Sequence, residues 1–234
     1  MPHNSAIYKE IIVGTGLSLT ESQFNQLELY ANILLDWNAK VNLVSRKDES
    51  NIWPGHLLHS LSILFCVSVP DSCNIADMGS GGGLPGIPVA IVLSNSNIVL
   101  IESIRKKCLA LENMIKRLGL SNTSVLNARA EDVAVKYKNS FDIVLARAVA
   151  PLVDLVRWSI PLVRKNQLTI GLRGRDPASL CLPALIAMKG GSLEQEISAA
   201  KKKTHFRYIE SIPIEFKGIE NTDLVHKSLL IAGL

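Results

Sequence analysis

Apolar positions along the chain fall into two kinds of pattern. Short unbroken runs recur at 75–78, 97–101, 124–127, 141–146 and 182–188, and segments of helical period lie between them. Strands buried on both faces of a parallel sheet give the first pattern, and helices covering that sheet give the second. The helical segments are 84–93, 104–118, 152–163 and a short one around 193–197; Gly119 stops the second of these after Leu111, Met114 and Leu118. Two closing runs, 208–216 and 224–232, predict an antiparallel hairpin at the sheet edge. The expectation is a doubly wound α/β sheet of the Rossmann-like kind, mostly parallel with an antiparallel edge strand and right-handed crossovers.

Ahead of the sheet the pattern is helical throughout. Thr20 and Gln23 form a capping box, and Phe24, Leu27, Tyr30, Leu34, Trp37 and Val41 follow on one face. A second helix over 52–67 carries His56 and His59, three residues apart on one face. No Cys or Glu sits one turn away, so a metal site is not expected there. These segments predict an N-terminal helical cap over 1–70, packed on a sheet domain over 71–234.

Between the first strand and its helix lies NIADMGSGGGLPGIP. Five of the chain's 15 glycines, at 79, 81, 82, 83 and 86, stand here. So many glycines permit positive φ and let a ligand lie against bare main chain, so the stretch reads as a binding loop at a helix N-terminus. The next strand ends on Glu102, 19 residues beyond Gly83, where a carboxylate suits the two hydroxyls of a ribose. NAD and S-adenosylmethionine both carry that ribose. A pyrophosphate disfavours an anion nearby, whereas a sulfonium with an α-ammonium group suits Asp77 at the strand end, which favours S-adenosylmethionine. The candidate contacts in the loop are Asp77, Gly79, Ser80, Gly81, Gly83 and Leu84, with Glu102 beside them. After the third strand, Ala130 and Glu131 are placed to read an adenine edge, and Arg147 ends the fourth strand on the reactive side.

Composition narrows the partners. At 234 residues and 47% hydrophobic, the chain can bury one large core. No apolar run approaches the roughly 18 residues of a membrane span, and the N-terminus MPHNSAIYKE lacks a signal-peptide layout, so a cytoplasmic protein is expected. Cys66, Cys73, Cys108 and Cys181 show neither metal-ligand nor disulfide-framework spacing. The net charge of +4 is uneven: residues 1–156 hold 13 Lys+Arg against 14 Asp+Glu, and residues 157–234 hold 12 against 7. A basic C-terminal portion suits a polyanion such as RNA. Arg105, Lys106 and Lys107 in a first helical turn, unfavourable there for the dipole, suit phosphate as well.

Absences matter too. The turn after the fourth strand reads ARAVAP, without the Asn/Asp-Pro-Pro-aromatic sequence of exocyclic-amine methylases, and no Pro-Cys nucleophile occurs. A target atom that is already nucleophilic is indicated. Two other classes remain open on these residues: an NAD-linked oxidoreductase using the Gly81-x-Gly83-x-x-Gly86 frame, and a catalytically idle RNA-binding module.

Larger motifs carry a resemblance. WNAKVNLVSRKD, HLLHS, ADMGSGGGLPGIPVAIV, LIES-x-x-KK, ARAEDV, ARAVAPL and AMKGG-x-LE-x-E resemble the bacterial RsmG (GidB) proteins from near Leu34 to the C-terminus. That resemblance implies a class I methyltransferase fold and methylation of N7 of one guanine in the decoding region of 16S rRNA, with S-adenosylmethionine as donor. It implies cofactor contacts by Gly79, Leu84, Ala130, Glu131 and Arg147. It assigns RNA or architectural roles to Asn42, Arg46, Lys106, Arg129, Lys189 and Lys227, on a monomer acting on rRNA or the small ribosomal subunit without a metal. Arg147 and Lys189 are the candidate catalytic residues, either able to bond guanine O6. Two departures stand out: the segment 166–181 is longer than in compact members, and Lys227 replaces a closing arginine, losing its forked phosphate grip.

Overall fold

A computed structural model describes residues 5–70, 72–165, 169–172 and 179–234. Helices α1 (Ser5–Gly14) and α2 (Glu21–Asn38) come first. A 3-10 turn, Arg46–Asn51, then leads into a π-helix, Ile52–Leu58, continuous with α3 (His59–Cys66). The strands in chain order are β1 (Val67–Ser68), β2 (Asn74–Met78), β3 (Asn97–Glu102), β4 (Thr123–Asn127), β5 (Ile143–Arg147), β6 (Thr169–Leu172), β7 (Ser179–Cys181), β8 (Ala184–Gly190), β9 (Tyr208–Pro213) and β10 (Lys227–Gly233). Helices α4 (Gly86–Val92), α5 (Arg105–Leu118), α6 (Ala134–Tyr137), α7 (Leu152–Ser159) and α8 (Glu194–Lys203) alternate with them.

The main sheet has seven strands in the order β4-β3-β2-β5-β8-β10-β9. Strands β4, β3, β2, β5 and β8 pair in parallel, and β10 runs antiparallel to both β8 and β9. The antiparallel strand is therefore one position in from the edge where the sequence placed it. Burial explains the order: Leu229 to Gly233 of β10 are buried, whereas in β9 only Ile212 is buried, as suits an edge strand. Within the inner strands successive residues enter opposite cores. Ile75, Ile143, Leu145, Ile186 and Ile231 join a cluster with α2–α5, and Ala76, Val144, Leu185 and Leu230 join one with α7.

Several expected boundaries move. Helix α4 starts at Gly86 and not at Leu84, because Ser80 O accepts from the amides of both Gly83 and Leu84 and holds that part as a turn. Helix α7 ends at Ser159, leaving Val163 to bridge Phe141. The segment 166–181, which had no place in the sequence reading, contributes β6 and β7 to a three-stranded antiparallel sheet with β1; 166–168 and 173–178 lie outside the described residues.

The N-terminal helices reach the glycine loop directly. The expected capping box of Thr20 and Gln23 is present, and Gln23 Nε2 also donates to Ile91 O and Val92 O at 3.1 and 3.0 Å, tying α2 to the end of α4. Buried Tyr30 donates its hydroxyl to Gly82 O at 2.9 Å. Buried Asn38 ends α2 and organises the adjoining turn: Oδ1 accepts from the amides of Leu43 and Val44 at 2.8 and 2.9 Å, and Nδ2 donates to Glu49 at 2.7 Å. Leu43 is thereby set against Gly82, where an added Cβ would come within 2.9 Å of Leu34 and 3.3 Å of Leu43.

Replacing Asn38 by Leu removes three hydrogen bonds and strands two buried amides, so urea denaturation is expected to show a loss of about 2–4 kcal/mol. A loss below about 0.5 kcal/mol, the range of a surface change, would mean that the turn holds itself.

Candidate functional site

The site is built where β2, β3 and β5 end. Glu102, the last residue of β3, is 6% exposed, and both its carboxylate oxygens are used: Oε2 accepts from Gly81 N at 3.0 Å and Oε1 from Ile104 N at 2.9 Å. One side chain thus fixes the glycine loop to the start of α5. From β2, Asp77 points under the loop. It is fully buried; Oδ2 accepts from Gly86 N at 3.0 Å, and Oδ1 has no hydrogen-bond partner among the described residues. Burial, the largest effect, pushes this carboxyl up to about 7, against bonds to the loop that favour its ionised form. Ser80 completes the brace by donating its hydroxyl to Asp77 O at 2.8 Å and its amide to Ile101 O at 3.0 Å.

The five glycines divide by task. A Cβ on Gly79, Gly82, Gly83 or Gly86 would strike Val149, Leu34, Ile87 or Leu100, so these four are packed against neighbouring side chains. Gly81, at φ +56°, has nothing nearer than 3.9 Å to an added Cβ and faces open space. The uncrowded part of the glycine stretch is thus smaller than the sequence suggests: Gly83 is crowded by Ile87, and Leu84 is buried.

Two cavities flank the end of β5. The smaller, about 260 Å³, is lined by Gly79, Glu102, Ala130, Glu131, Val149 and Trp158 among others. Four of the residues expected to hold a nucleoside come together there, and Trp158 adds an aromatic face that no motif indicated. The larger, about 450 Å³, is lined by Asp48, His56, Arg147, Ala148, Lys189 and Lys227 with others. Arg147 and Ala148 face the larger cavity and Val149 the smaller, so three consecutive residues form the wall between them. Ala148 has φ +55°, uncommon for a residue with a Cβ and a mark of constrained backbone at that wall.

Side chains in the larger cavity are tightly partnered. Arg147 Nη2 lies 2.8 Å from His56 Nδ1. Burial and the neighbouring Arg147 push His56 down to about 4 and His59 to about 3, so both imidazoles are neutral at pH 7. Lys189 Nζ donates to Ala150 O at 2.9 Å and to Glu196 at 2.7 Å, and the same Glu196 oxygen accepts from Leu152 N at 2.7 Å. Lys227 lies alongside, against Gly190. Of the other residues assigned to RNA, Asn42, Arg46, Lys106 and Arg129 are exposed, Arg129 within 3.6 Å of Glu131. Tyr30, His56 and Trp158 are the residues that sequence reading did not single out for the site; Tyr30 was hidden in a helical apolar face, and the histidine pair reads first as a polar or capping face, ahead of a phosphate or RNA contact and of a metal. Among the described residues no cluster of three or more His, Cys, Asp or Glu could hold a metal, and no helix is long and apolar enough to cross a membrane.

Known proteins give the arrangement a context. The chain is similar to the solved structure of M. jannaschii TYW2 in complex with AdoMet, at 14% identity and a TM-score of 0.50, covering 81% of this chain and 76% of that one. It is also similar to a SAM dependent methyltransferase from Aquifex aeolicus, at 11% identity and TM-score 0.50, covering 70% and 84%. These likenesses concern the fold. In sequence, it is 34% identical over 206 residues to the ribosomal RNA small subunit methyltransferase G of Chlorobium luteolum, covering 87% of this chain and 79% of the relative. It is 38% identical over 196 residues to the protein of that name from Phocaeicola vulgatus, covering 83% and 87%. Residues 23–180 match the GidB family, described as rRNA small subunit methyltransferase G. With a match over most of its length and relatives above 30% identity, the chain belongs to the GidB family of rRNA small subunit methyltransferases.

Proposed function

We propose that this protein transfers the methyl group of S-adenosylmethionine to N7 of a guanine in the 16S rRNA of the small ribosomal subunit, in the cytoplasm. The observation that carries the reading is the shared wall: a nucleoside-sized cavity beside the glycine loop and a larger, cation-lined cavity meet at Arg147, Ala148 and Val149.

When bound, S-adenosylmethionine supplies a methyl carbon made electrophilic by its sulfonium. The residues present suit it. Glu102, already committed to two backbone amides, keeps further lone pairs for ribose hydroxyls, and Oδ1 of Asp77 offers a buried acceptor to an α-ammonium group. Guanine N7 has an in-plane lone pair and no proton, so transfer needs alignment and charge control and no general base. Arg147 donates to O6 and orients the ring while leaving N7 free. Lys189, held by Ala150 O and Glu196, keeps a third N–H for the same edge or for a phosphate. Lys227 and the exposed Asn42, Arg46, Lys106 and Arg129 offer contacts to the RNA backbone.

Three outcomes are expected. Purified protein with labelled S-adenosylmethionine and unmodified small subunits or 16S rRNA should yield 7-methylguanosine on nucleoside mass spectrometry; label that never reaches RNA would refute the substrate. Gly81→Ala places its Cβ in open space at a left-handed φ, so melting should report a cost of about 1–2 kcal/mol. Calorimetry should show an affinity loss for S-adenosylmethionine of at least about tenfold, and unchanged affinity would mean that the ligand does not pass Gly81.

The third concerns pH. The folded pKa of Asp77 is raised to about 7 from an ordinary 3.8, so the folded state binds the extra proton between those values. Unliganded stability therefore falls as pH rises through that window, and the ionised form needed by an ammonium group accumulates above it. Asp77→Asn should melt higher than wild type at pH 8, by a margin that shrinks at pH 5, and should bind S-adenosylmethionine weakly at both. A margin that does not vary with pH would refute the assignment.

A further inference from the structure

We infer that His56 is a positioning residue for methyl transfer, holding the Arg147 guanidinium at the wall of the larger cavity through a hydrogen bond accepted by Nδ1. The inference rests on the functional reading above. Arginine has five N–H donors and no acceptor, so the 2.8 Å contact between Nη2 and Nδ1 fixes the direction of the bond: Arg147 donates and His56 accepts. The imidazole proton then resides on Nε2. Asp48 Oδ2 lies 4.0 Å from that nitrogen, too far for a direct hydrogen bond but close enough to favour the proton there. A carboxylate, a neutral imidazole and a guanidinium thus stand in line across the cavity wall.

Two features of this line bear on catalysis. Arginine carries about 2 kcal/mol of rotamer entropy, so a guanidinium that must meet one edge of a base gains from being held beforehand. The holder is neutral. A carboxylate in direct contact would fix the side chain equally well but would cancel the charge that stabilises electron density on O6, whereas an imidazole acceptor leaves it available. With the ring between it and Asp48, Arg147 has its 2.8 Å polar contact with a neutral group and keeps its positive charge at a cavity that Asp48 also lines.

The local backbone is shaped for this purpose. His56 is presented by the π-helix Ile52–Leu58, an uncommon turn that recurs at functional sites. At Gly55 an added Cβ would come within 2.4 Å of Asn51 Nδ2, so any larger residue beside His56 would push the Asn51 side chain aside. The side chain is 14% exposed and Arg147 is partly buried. Across the contact, Ala148 holds its positive φ. Both partners are therefore supplied by constrained backbone from parts of the chain 91 residues apart.

The test compares His56→Ala, His56→Asn, Arg147→Ala and the double alanine variant with wild type. Small ribosomal subunits serve as methyl acceptor, kcat and KM are read separately, and calorimetry gives the affinity for S-adenosylmethionine. Asn places Oδ1 where Nδ1 stands and restores the acceptor. The expected result is a kcat lowered about a hundredfold in His56→Ala, cofactor affinity within about twofold of wild type, and most of the rate recovered in His56→Asn. The double variant should be no slower than Arg147→Ala alone, because His56 acts through Arg147. The assignment is overturned if His56→Ala keeps its kcat, if kcat and cofactor affinity fall together, if His56→Asn is no better than His56→Ala, or if the two alanine losses multiply. Wild-type protein that transfers no methyl group to small subunits overturns the functional reading with it, whereas wild-type transfer accompanied by any of those four results overturns the His56 assignment alone.

Discussion

Glu102 is the constraint on which the site depends. A glycine loop gains access to a ligand by giving up side chains, and with them its means of holding one shape. The carboxylate of Glu102 supplies what is missing by accepting from Gly81 N and Ile104 N, so the loop and the first turn of α5 are anchored to one point at the end of β3. Asp77 does the same from beneath through Gly86 N, and Tyr30 from the N-terminal helix through Gly82 O. Three side chains from three elements thus fix a loop that has almost none. Burial drives the Asp77 carboxyl up to about 7, so its ionised form is costly beneath the loop.

The N-terminal helices answer the same requirement. Gly82 leaves a gap that Leu34 and Leu43 close, and Leu43 is held there by Asn38. The π-helix then brings His56 to Arg147. Part of the support behind the loop, from Tyr30, Leu34 and Leu43, and the partner of Arg147 come from the first sixty residues. One apolar cluster runs from Phe24 and Leu27 through Ile75 and Ile143, so these helices and the sheet share a core.

How much of this was legible in the sequence depends on the range of the interaction that decided it. The inner strands were readable because burial on both faces writes an unbroken apolar run, and the cap of α2 because Thr20 and Gln23 are three residues apart. Gly79, Glu102, Ala130 and Glu131 could be nominated together because strand ends and loop come in fixed succession, and they line one cavity. What stayed hidden was decided by distant partners. Nothing local separates uncrowded Gly81 from the glycines that face Leu34, Ile87 or Leu100. The position of β10 inside β9 depends on which side of each strand is covered, and β6 depends on pairing with β1 across a hundred residues, with β7 pairing in turn on β6. The glycine spacing alone fitted two cofactors; membership of the family rests on longer motifs spread along the chain.

The two cations at the larger cavity show why identity alone does not assign a role. Lys189 and Arg147 both stood as candidates for the base, both at strand ends and both beside the wall. Lys189 is bound to Glu196, the oxygen of which also receives Leu152 N, so the ammonium joins β8 to the starts of α7 and α8 and its charge meets an opposite one at 2.7 Å. Arg147 meets only a neutral ring at its closest polar contact. Since the field that either can project into the cavity is reduced by whatever opposite charge it touches, Arg147 is the stronger source of positive potential at the wall.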